Sequence, residues 1–359
     1  MARRRVSSLD EFVEGCRDRR FFVGVDVHAR SYHVALRRFD GQSHVWVAPA
    51  DPQGLVRQIM SLGIEVSAVA HEAGPTGFSL AREVAEAGLR AIVAAPNRIP
   101  RAVTPGAKTD RLDCLKLAEY AAKGMLKPIA VPTRQEEAQR TLLRRRHQIV
   151  DDLRKVKQRI KSLLLYLGVR EPDGLANWSM ASVNALGELP LDPVAAETMA
   201  SHLRALSFHQ AELKTVETRL AQSLEQDHRE VMDCLRSIPG VGAVVATTFR
   251  LEIYRPERFG RAEEVTSYLG LAPMVSQSGE GKARGRLRPV GQRRLRSLLV
   301  EAAWIWKSKD RWAQGVYNSI LSRCGLPQKA IAALARKLAV ILWRLSIEKR
   351  PYRALCQSE

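Results

Sequence analysis

Four acidic residues carry types and spacings suited to divalent-metal chemistry: Asp26, Glu72, Asp110 and Asp113. Asp26 interrupts the apolar run Phe22-Val23-Gly24-Val25-Asp26-Val27, and Glu72 ends the run Val66-Ser67-Ala68-Val69-Ala70-His71-Glu72. A carboxylate among core residues costs free energy unless a cation compensates it. Mg²⁺, with Mn²⁺ as a substitute, is the expected cation. Asp110 and Asp113 stand at i and i+3, so on a helix they share one face, with Cβ atoms about 5–6 Å apart. Four such acids could hold two ions roughly 4 Å apart, stabilising the attacking and leaving oxygens of a phosphodiester displacement. Taken singly, each acid also reads as a cap or an ion-pair partner, Asp110 as a helix N-cap. Asp26 weighs most towards metal, because a core strand would otherwise exclude it.

A second group lies towards the C-terminus. Tyr268-Leu269-Gly270-Leu271-Ala272-Pro273-Met274-Val275-Ser276-Gln277-Ser278-Gly279 is followed by Lys282, Arg284, Arg286, Arg288, Arg293, Arg294 and Arg296, against the single acid Glu280. A serine hydroxyl in such a loop has what a nucleophile on a phosphodiester needs: local positive charge favours the alkoxide and the charge developing on phosphorus. No histidine base lies nearby in sequence, so a protease-type triad is not suggested. An ordinary turn serine beside a phosphate-binding patch is the alternative. Upstream, Pro239-Gly240-Val241-Gly242 resembles the hairpin of a helix-hairpin-helix element. Gly240 and Gly242 would let backbone N–H groups approach a phosphate at a helix N-terminus. A glycine-containing link used only for packing is the alternative there.

The elements that must position these groups follow from periodicity. Strands are expected at residues 21–27 and 32–39, turning around His28-Ala29-Arg30-Ser31, and at 43–47, 65–71 and 90–95. Helices are expected at 51–62, capped by Asp51 with Pro52 at its first position, at 77–87, and at 110–123 with Leu112, Leu115 and Leu117 on the apolar side. Three strands followed by alternating helices and strands match a mixed-sheet α/β domain of the ribonuclease H type. From 134 to 168 the pattern changes. Leu142, Ile149, Val156 and Leu163 repeat every seven residues, with Leu153, Ile160 and Leu167 on the companion seam and Arg146 as the one break. This predicts a coiled coil or long helical hairpin, whose basic face (Arg144, Arg145, Arg154, Lys155, Lys157, Arg159, Lys161) is either solvated or engaged in dimerisation and backbone contact. A partner helix is expected at 202–224, with an inserted loop or subdomain at 170–198. Apolar helical stripes recur at Leu295, Leu298, Leu299, Ala302 and Trp306 and at Ile331, Leu334, Leu338, Leu342 and Leu345.

The bulk numbers narrow the partner. A chain of 359 residues has room for two or three domains, expected here at 1–130, 131–232 and 233–359. Its formal charge of +19 points to a polyanionic partner, nucleic acid before a membrane surface. No apolar run reaches the about 18 residues a membrane span needs, and Met1-Ala2-Arg3-Arg4-Arg5 leads into Asp10 and Glu11 instead of a signal-peptide core. The five cysteines lie far apart, so they read as thiols in a reducing compartment.

The ordered motifs Gly24-Val25-Asp26-Val27-His28, His71-Glu72-Ala73, Lys108-Thr109-Asp110-Arg111-Leu112-Asp113, Ser237-Ile238-Pro239-Gly240-Val241-Gly242 and Tyr268–Pro273 through Ser278-Gly279 resemble those of the DEDD transposases of bacterial insertion sequences. That family includes pilin-gene invertases and bridge-RNA-guided recombinases. The resemblance covers nearly the whole chain. It implies a RuvC-like N-terminal domain binding Mg²⁺ through Asp26, Glu72, Asp110 and Asp113, a coiled-coil linker, and a mainly helical C-terminal transposase domain with Ser278 as nucleophile. It also implies strand cleavage through a covalent serine–DNA intermediate, donor and target DNA as partners, and a structured noncoding guide RNA. Homo-oligomers, dimeric or tetrameric, at the nucleoid of a bacterial cytoplasm complete what the resemblance implies. Two positions depart from the family pattern: Cys114 stands where alanine is usual after the last aspartate, and Gln277 separates Ser276 from Ser278, which makes Ser276 the second candidate nucleophile. A RuvC-like structure-specific nuclease using water as nucleophile is the competing expectation.

Overall fold

A computed structural model describes residues 8–100, 110–276, 284–287 and 291–352. The chain divides into two compact units, Met1–Pro132 and Thr133–Glu359.

The first unit runs α1 (Ser8–Val13), β1 (Arg20–Val27), β2 (Ser31–Arg38), β3 (Ser43–Pro49), α2 (Pro52–Ser61), β4 (Glu65–Glu72), α3 (Ser79–Glu86), β5 (Ala91–Ala94) and α4 (Asp110–Ala122). The five strands order as β3-β2-β1-β4-β5. β1 is antiparallel to β2 and parallel to β4, and β4 is parallel to β5. This is the ribonuclease H-type sheet expected from the element order.

Alternation along the strands gives the sheet two unlike faces. Val23, Val25, Val34, Leu36 and Val69 face a core completed by Leu55, Ile59, Leu80 and Val84 of α2 and α3. On the other face, Gly24, Ala35, Ala68 and Ala70 are small, and α4 lies against β1, β2 and β4 there. A Cβ on Gly24 would overlap the backbone of Cys114 and Ala118, so the glycine sets how closely α4 approaches the sheet. Within α4 the buried side is Cys114, Leu117, Ala118 and Ala121. Leu112, expected on that side, is exposed, because the face opposite the sheet's small residues starts two positions later.

The second unit is mainly helical: α5 (Arg134–Tyr166), α6 (Met180–Gly187), α7 (Pro193–Arg236), α8 (Ala243–Ile253), α9 (Ala262–Tyr268), the two-stranded β6 (Pro273–Ser276) and β7 (Arg284–Leu287), then α10 (Arg293–Lys309), α11 (Arg311–Cys324) and α12 (Pro327–Glu348). A capping box at Thr133 and Glu136 starts α5. α5 and α7 form an antiparallel hairpin: Gln139 donates to Ser223 at 2.7 Å, while Arg146, further along α5, pairs with the earlier Glu217 at 2.7 Å. The heptad seam is thus filled by the chain's own return helix. Its fully buried residues are Leu143, Ile149, Ile160 and Leu164, with Val156 close behind. Leu142 and Leu163 are only partly buried, because the flank covered by α7 is that of Leu143 and Leu164, one position on and themselves three heptads apart. The Arg146 break in the seam is met by Glu217.

α7 is longer than the expected 202–224. Asp192 accepts from the Val194 amide at 2.9 Å and Pro193 occupies the first turn, so the stretch 170–198 contains α6 and the start of α7 beside its turns. α7 departs from helical geometry at His228 (φ −143°). Around its end a core forms from Leu235, Ile238, Phe249, Val265, Leu269, Leu295, Leu299, Ala302, Trp306, Leu334, Leu338 and Leu342, which takes in both predicted apolar stripes except Leu298, a half-buried residue outside that core. Cys16, Cys114, Cys234 and Cys324 are free thiols; Cys356 lies outside the described residues. No helix among the described residues is long and apolar enough to cross a membrane.

Candidate functional site

The acids are placed by the sheet. Asp26 follows Val25, and Glu72 follows His71, its partner across the parallel β1–β4 pair. One step further along both strands, Asp26 and Glu72 are neighbours, on strands that lie about 4.8 Å apart. Asp26 shares the face of Gly24, and Glu72 that of Ala68 and Ala70, so both point to the side occupied by α4. Asp113 sits in the first turns of α4, 3.8 Å from Lys116 Nζ. Burial pushes the Cys114 thiol up to about 11, and the nearby Asp26 and Asp113 carboxylates add to that shift, opposed by backbone amides. Asp26, from a distant stretch of sequence, therefore lies near Cys114, the residue that follows Asp113.

Asp110 begins α4, and its side chain lies outside the described ones. Among the described residues no three His, Cys, Asp or Glu side chains converge closely enough to share a metal ion. The donor chemistry nonetheless suits a hard cation: carboxylate oxygens from a strand pair and a docked helix are the ligands Mg²⁺ takes. Beside them His71 is buried, with its Nδ1 3.0 Å from the Glu72 carbonyl and its Nε2 without a partner. Burial lowers its pKa from the usual value, so the ring is held neutral.

The serine-bearing segment is built differently. β6 and β7 pair Pro273 with Leu287 and Ser276 with Arg284, so Ser276 lies at the end of a ribbon opposite one of the predicted cationic residues, and Arg286 opposes Met274. Gln277, Ser278, Lys282 and Arg288 lie outside the described residues. The ribbon is tied at its base. Gly291 has φ of +90°, and a Cβ there would sit 2.6 Å from Gly270 N and from Tyr268 O, and 2.9 Å from Leu269 C. The Gln292 amide donates to Tyr268 O at 3.3 Å, and Arg296 donates to Gly270 O at 3.3 Å. Tyr268 in turn donates its hydroxyl to Glu252 O at 3.2 Å, and Glu252 forms a buried ion pair with Arg140 at 3.1 Å. The Arg258 guanidinium lies over the rings of Tyr254, Phe259 and Tyr268 at 4.4–4.7 Å. Sequence reading singled out the loop and missed this neck, because a lone glycine and scattered arginines carry no periodic signal.

The Pro239-Gly240-Val241-Gly242 link does join two helices, α7 and α8. Gly240 (φ +90°) lies against α10, where a Cβ would be 2.7 Å from Ala302 O and 3.1 Å from Trp306 N, so close packing accounts for that glycine. Gly242 is exposed at the start of α8 with open space around it. Arg293 is exposed. Arg294 pairs with Asp151 at 2.7 Å and donates to His147 O at 3.3 Å.

A ribonuclease H-type sheet with paired acids at one edge, joined to a strongly basic helical unit, defines a polynucleotide-processing protein. Comparison with known proteins makes this specific. A family model for DEDD transposases of the IS110 type matches residues 23–167, and the model described as "Transposase IS116/IS110/IS902 family" matches residues 232–318. The putative transposase y4qE of Sinorhizobium fredii is 30% identical, over 92% of this chain and 90% of its own length. The transposase for insertion sequence element IS1533 of Leptospira borgpetersenii is 26% identical over 93% and 98%. The pilin gene-inverting protein of Moraxella bovis is 27% identical over 68% of each chain. The Thermus thermophilus RuvC structure aligns with 30% of this chain and 99% of that one, at 14% identity and a TM-score of 0.24; the strand order carries the fold assignment. The chain belongs to the IS110/IS116 family of insertion-sequence transposases, enzymes that cut and rejoin DNA.

Proposed function

We propose that Asp26, Glu72, Asp110 and Asp113 bind Mg²⁺, or Mn²⁺ in its place, and that Ser278 is the nucleophile of strand cleavage. The observation that carries this reading is the placement of Asp26 and Glu72 on adjacent parallel strands, on the face where the helix bearing Asp110 and Asp113 docks. Bound there, the ion would favour the alkoxide and neutralise charge on the phosphate. The Ser278 oxygen attacks phosphorus, a serine–phosphate ester forms, and a DNA hydroxyl leaves. Rejoining reverses the exchange with the hydroxyl of another strand, so bonds balance and no external energy is needed. Lys282, Arg284, Arg286, Arg288, Arg293 and Arg294 hold backbone phosphates, with Gly242 at a further backbone contact; Gly240, packed against α10, is left out of that contact. Functionally the chain divides into an acid-bearing part (1–130), a helical linker (131–232) and a serine-bearing part (233–359). It works as a homo-oligomer, and a structured RNA selects donor and target by base pairing, which suits basic side chains that read backbone and not sequence.

The test is a denaturing gel after reaction with labelled element-end DNA and Mg²⁺. The expected result is DNA covalently attached to the protein, lost in Ser278→Ala and retained in Ser276→Ala. Cleavage that persists in Ser278→Ala without any adduct would overturn the serine reading and favour a water nucleophile.

A further inference from the structure

The corner between α10 and α11 displays aromatic side chains that the core leaves outside. Trp304 is 42% exposed and Trp312 44% exposed, although burying rings of that size would stabilise the fold. Each rests against an inner ring. Trp304 lies 6.0 Å, centroid to centroid, from the buried Tyr317, and Trp312 lies 5.5 Å from the buried Trp306. Lys307 Nζ sits 5.1 Å from the Trp304 ring and 4.1 Å from that of Tyr317, so a cation is packed against the exposed indole. Lys309 and Arg311 are exposed at the same corner, with no ion pair among the described residues. From Ala302 to Arg323 the single acid is Asp310, and it accepts from the Ala313 amide at 2.8 Å to cap α11. The corner is positive as well as aromatic.

That combination suits unpaired nucleotides. Bases stack on aromatic rings whatever their sequence, and neighbouring cations take the phosphates between them. A duplex offers only base edges in its grooves. The location fits as well: α10 starts at Arg293, directly after the Gly291–Gln292 neck of the serine-bearing ribbon, and its 17 residues run about 25 Å to the corner. Cutting a strand and joining it to another parts that strand from its complement, so an enzyme that cuts and rejoins DNA handles unpaired bases near the cut. We infer that the α10–α11 corner binds single-stranded DNA: Trp304 and Trp312 stack on bases, while Lys309 and Arg311 hold the adjoining phosphates. The site stands whether a serine or a water cuts the strand.

The experiment measures binding of a labelled oligothymidine strand to the full chain by fluorescence anisotropy, beside its duplex with oligodeoxyadenosine and an oligouridine strand, with melting temperatures in parallel. The expected result is single-strand affinity about tenfold lower in Trp304→Ala and in Trp312→Ala, with duplex affinity within twofold of the wild type. Trp304→Phe, which keeps a ring, should retain most of the affinity while the quenching of tryptophan fluorescence by the strand shrinks. Joint replacement Lys309→Gln and Arg311→Gln should lower the salt slope of single-strand binding by about 1.4, and this variant carries the test if an alanine lowers the melting temperature. Single-strand affinity within twofold of the wild type in both alanine variants, or equal losses on duplex and single strand, would overturn stacking. An unchanged salt slope in the joint variant would overturn the phosphate contacts. Oligouridine bound about tenfold more tightly than oligothymidine, and released by the same variants, would replace DNA with RNA as the occupant. A changed oligomeric state with strand binding intact would make the corner a contact between copies of the chain instead.

Discussion

The acid-bearing edge of the first unit and the serine-bearing ribbon of the second hold their chemical groups in different ways. Asp26 and Glu72 inherit their positions from a hydrogen-bonded ladder, on a face whose small residues let α4 approach closely. Ser276 ends a four-residue strand whose attitude depends on contacts at its base: Gly291 against the 268–270 backbone, Arg296 on Gly270 O, and the Arg140–Glu252 pair behind Tyr268. A ladder spreads the task over many equivalent bonds. A neck concentrates it in a few, so single substitutions should act on the two regions differently.

The largest difference should come from Asp26→Asn. If that side chain serves chemistry, DNA cleavage should fall by about 10³-fold, equivalent to about 4 kcal/mol of barrier, with no loss in the urea midpoint. A drop in the midpoint would make Asp26 structural and erase the contrast. Next is Arg140→Met, which strands Glu252 beneath Tyr268. Removing one partner of a buried pair costs roughly 3–5 kcal/mol, to be read from urea unfolding followed by circular dichroism. A cost under about 1 kcal/mol would show that the neck is not anchored there.

Gly24→Ala and Gly291→Ala sharpen the comparison as a pair, each with an expected cost of about 1–3 kcal/mol from overpacking. The first should loosen α4 and weaken Mn²⁺ binding. The second should lower adduct yield in the denaturing gel while leaving DNA affinity within a fewfold. Equal losses of binding and adduct in Gly291→Ala would argue against a positioning neck.

The smallest effect is a pH dependence. Burial, with Arg294 and Arg146 adding and Asp151 opposing, pushes the His147 pKa down from 6.5 to about 4. The unfolded chain then takes up a proton first, so the stability held by neutral His147 is complete above about pH 6.5 and is lost as pH falls towards 4. Urea midpoints at pH 7 and pH 5 should differ less in His147→Gln than in the wild type.

The sheet was legible because alternation is local. Phe22-Val23-Gly24-Val25-Asp26 already separates a core face from one with a glycine and an acid, and β4 repeats the pattern. Less legible was anything set by a partner. The seam residues Leu143 and Leu164 were displaced by one position from the strict heptad, since only contact with α7 shows which flank is covered. The role of Gly240 depended on α10, distant in sequence, and Leu112 was assigned to the wrong side of α4 for the same reason.

The Arg146–Glu217 pair has a consequence for how such an arm changes length. α5 spans 33 residues, about 50 Å of helix, and the ion pair pegs one point of it to one point of α7. An insertion in the outgoing helix alone would slide every leucine beyond the peg out of step with its counterpart. Seven residues added on both sides, distal to the peg, would preserve the mesh. Length variation among relatives should therefore come in matched increments on the two limbs, with the charged peg as the fixed origin.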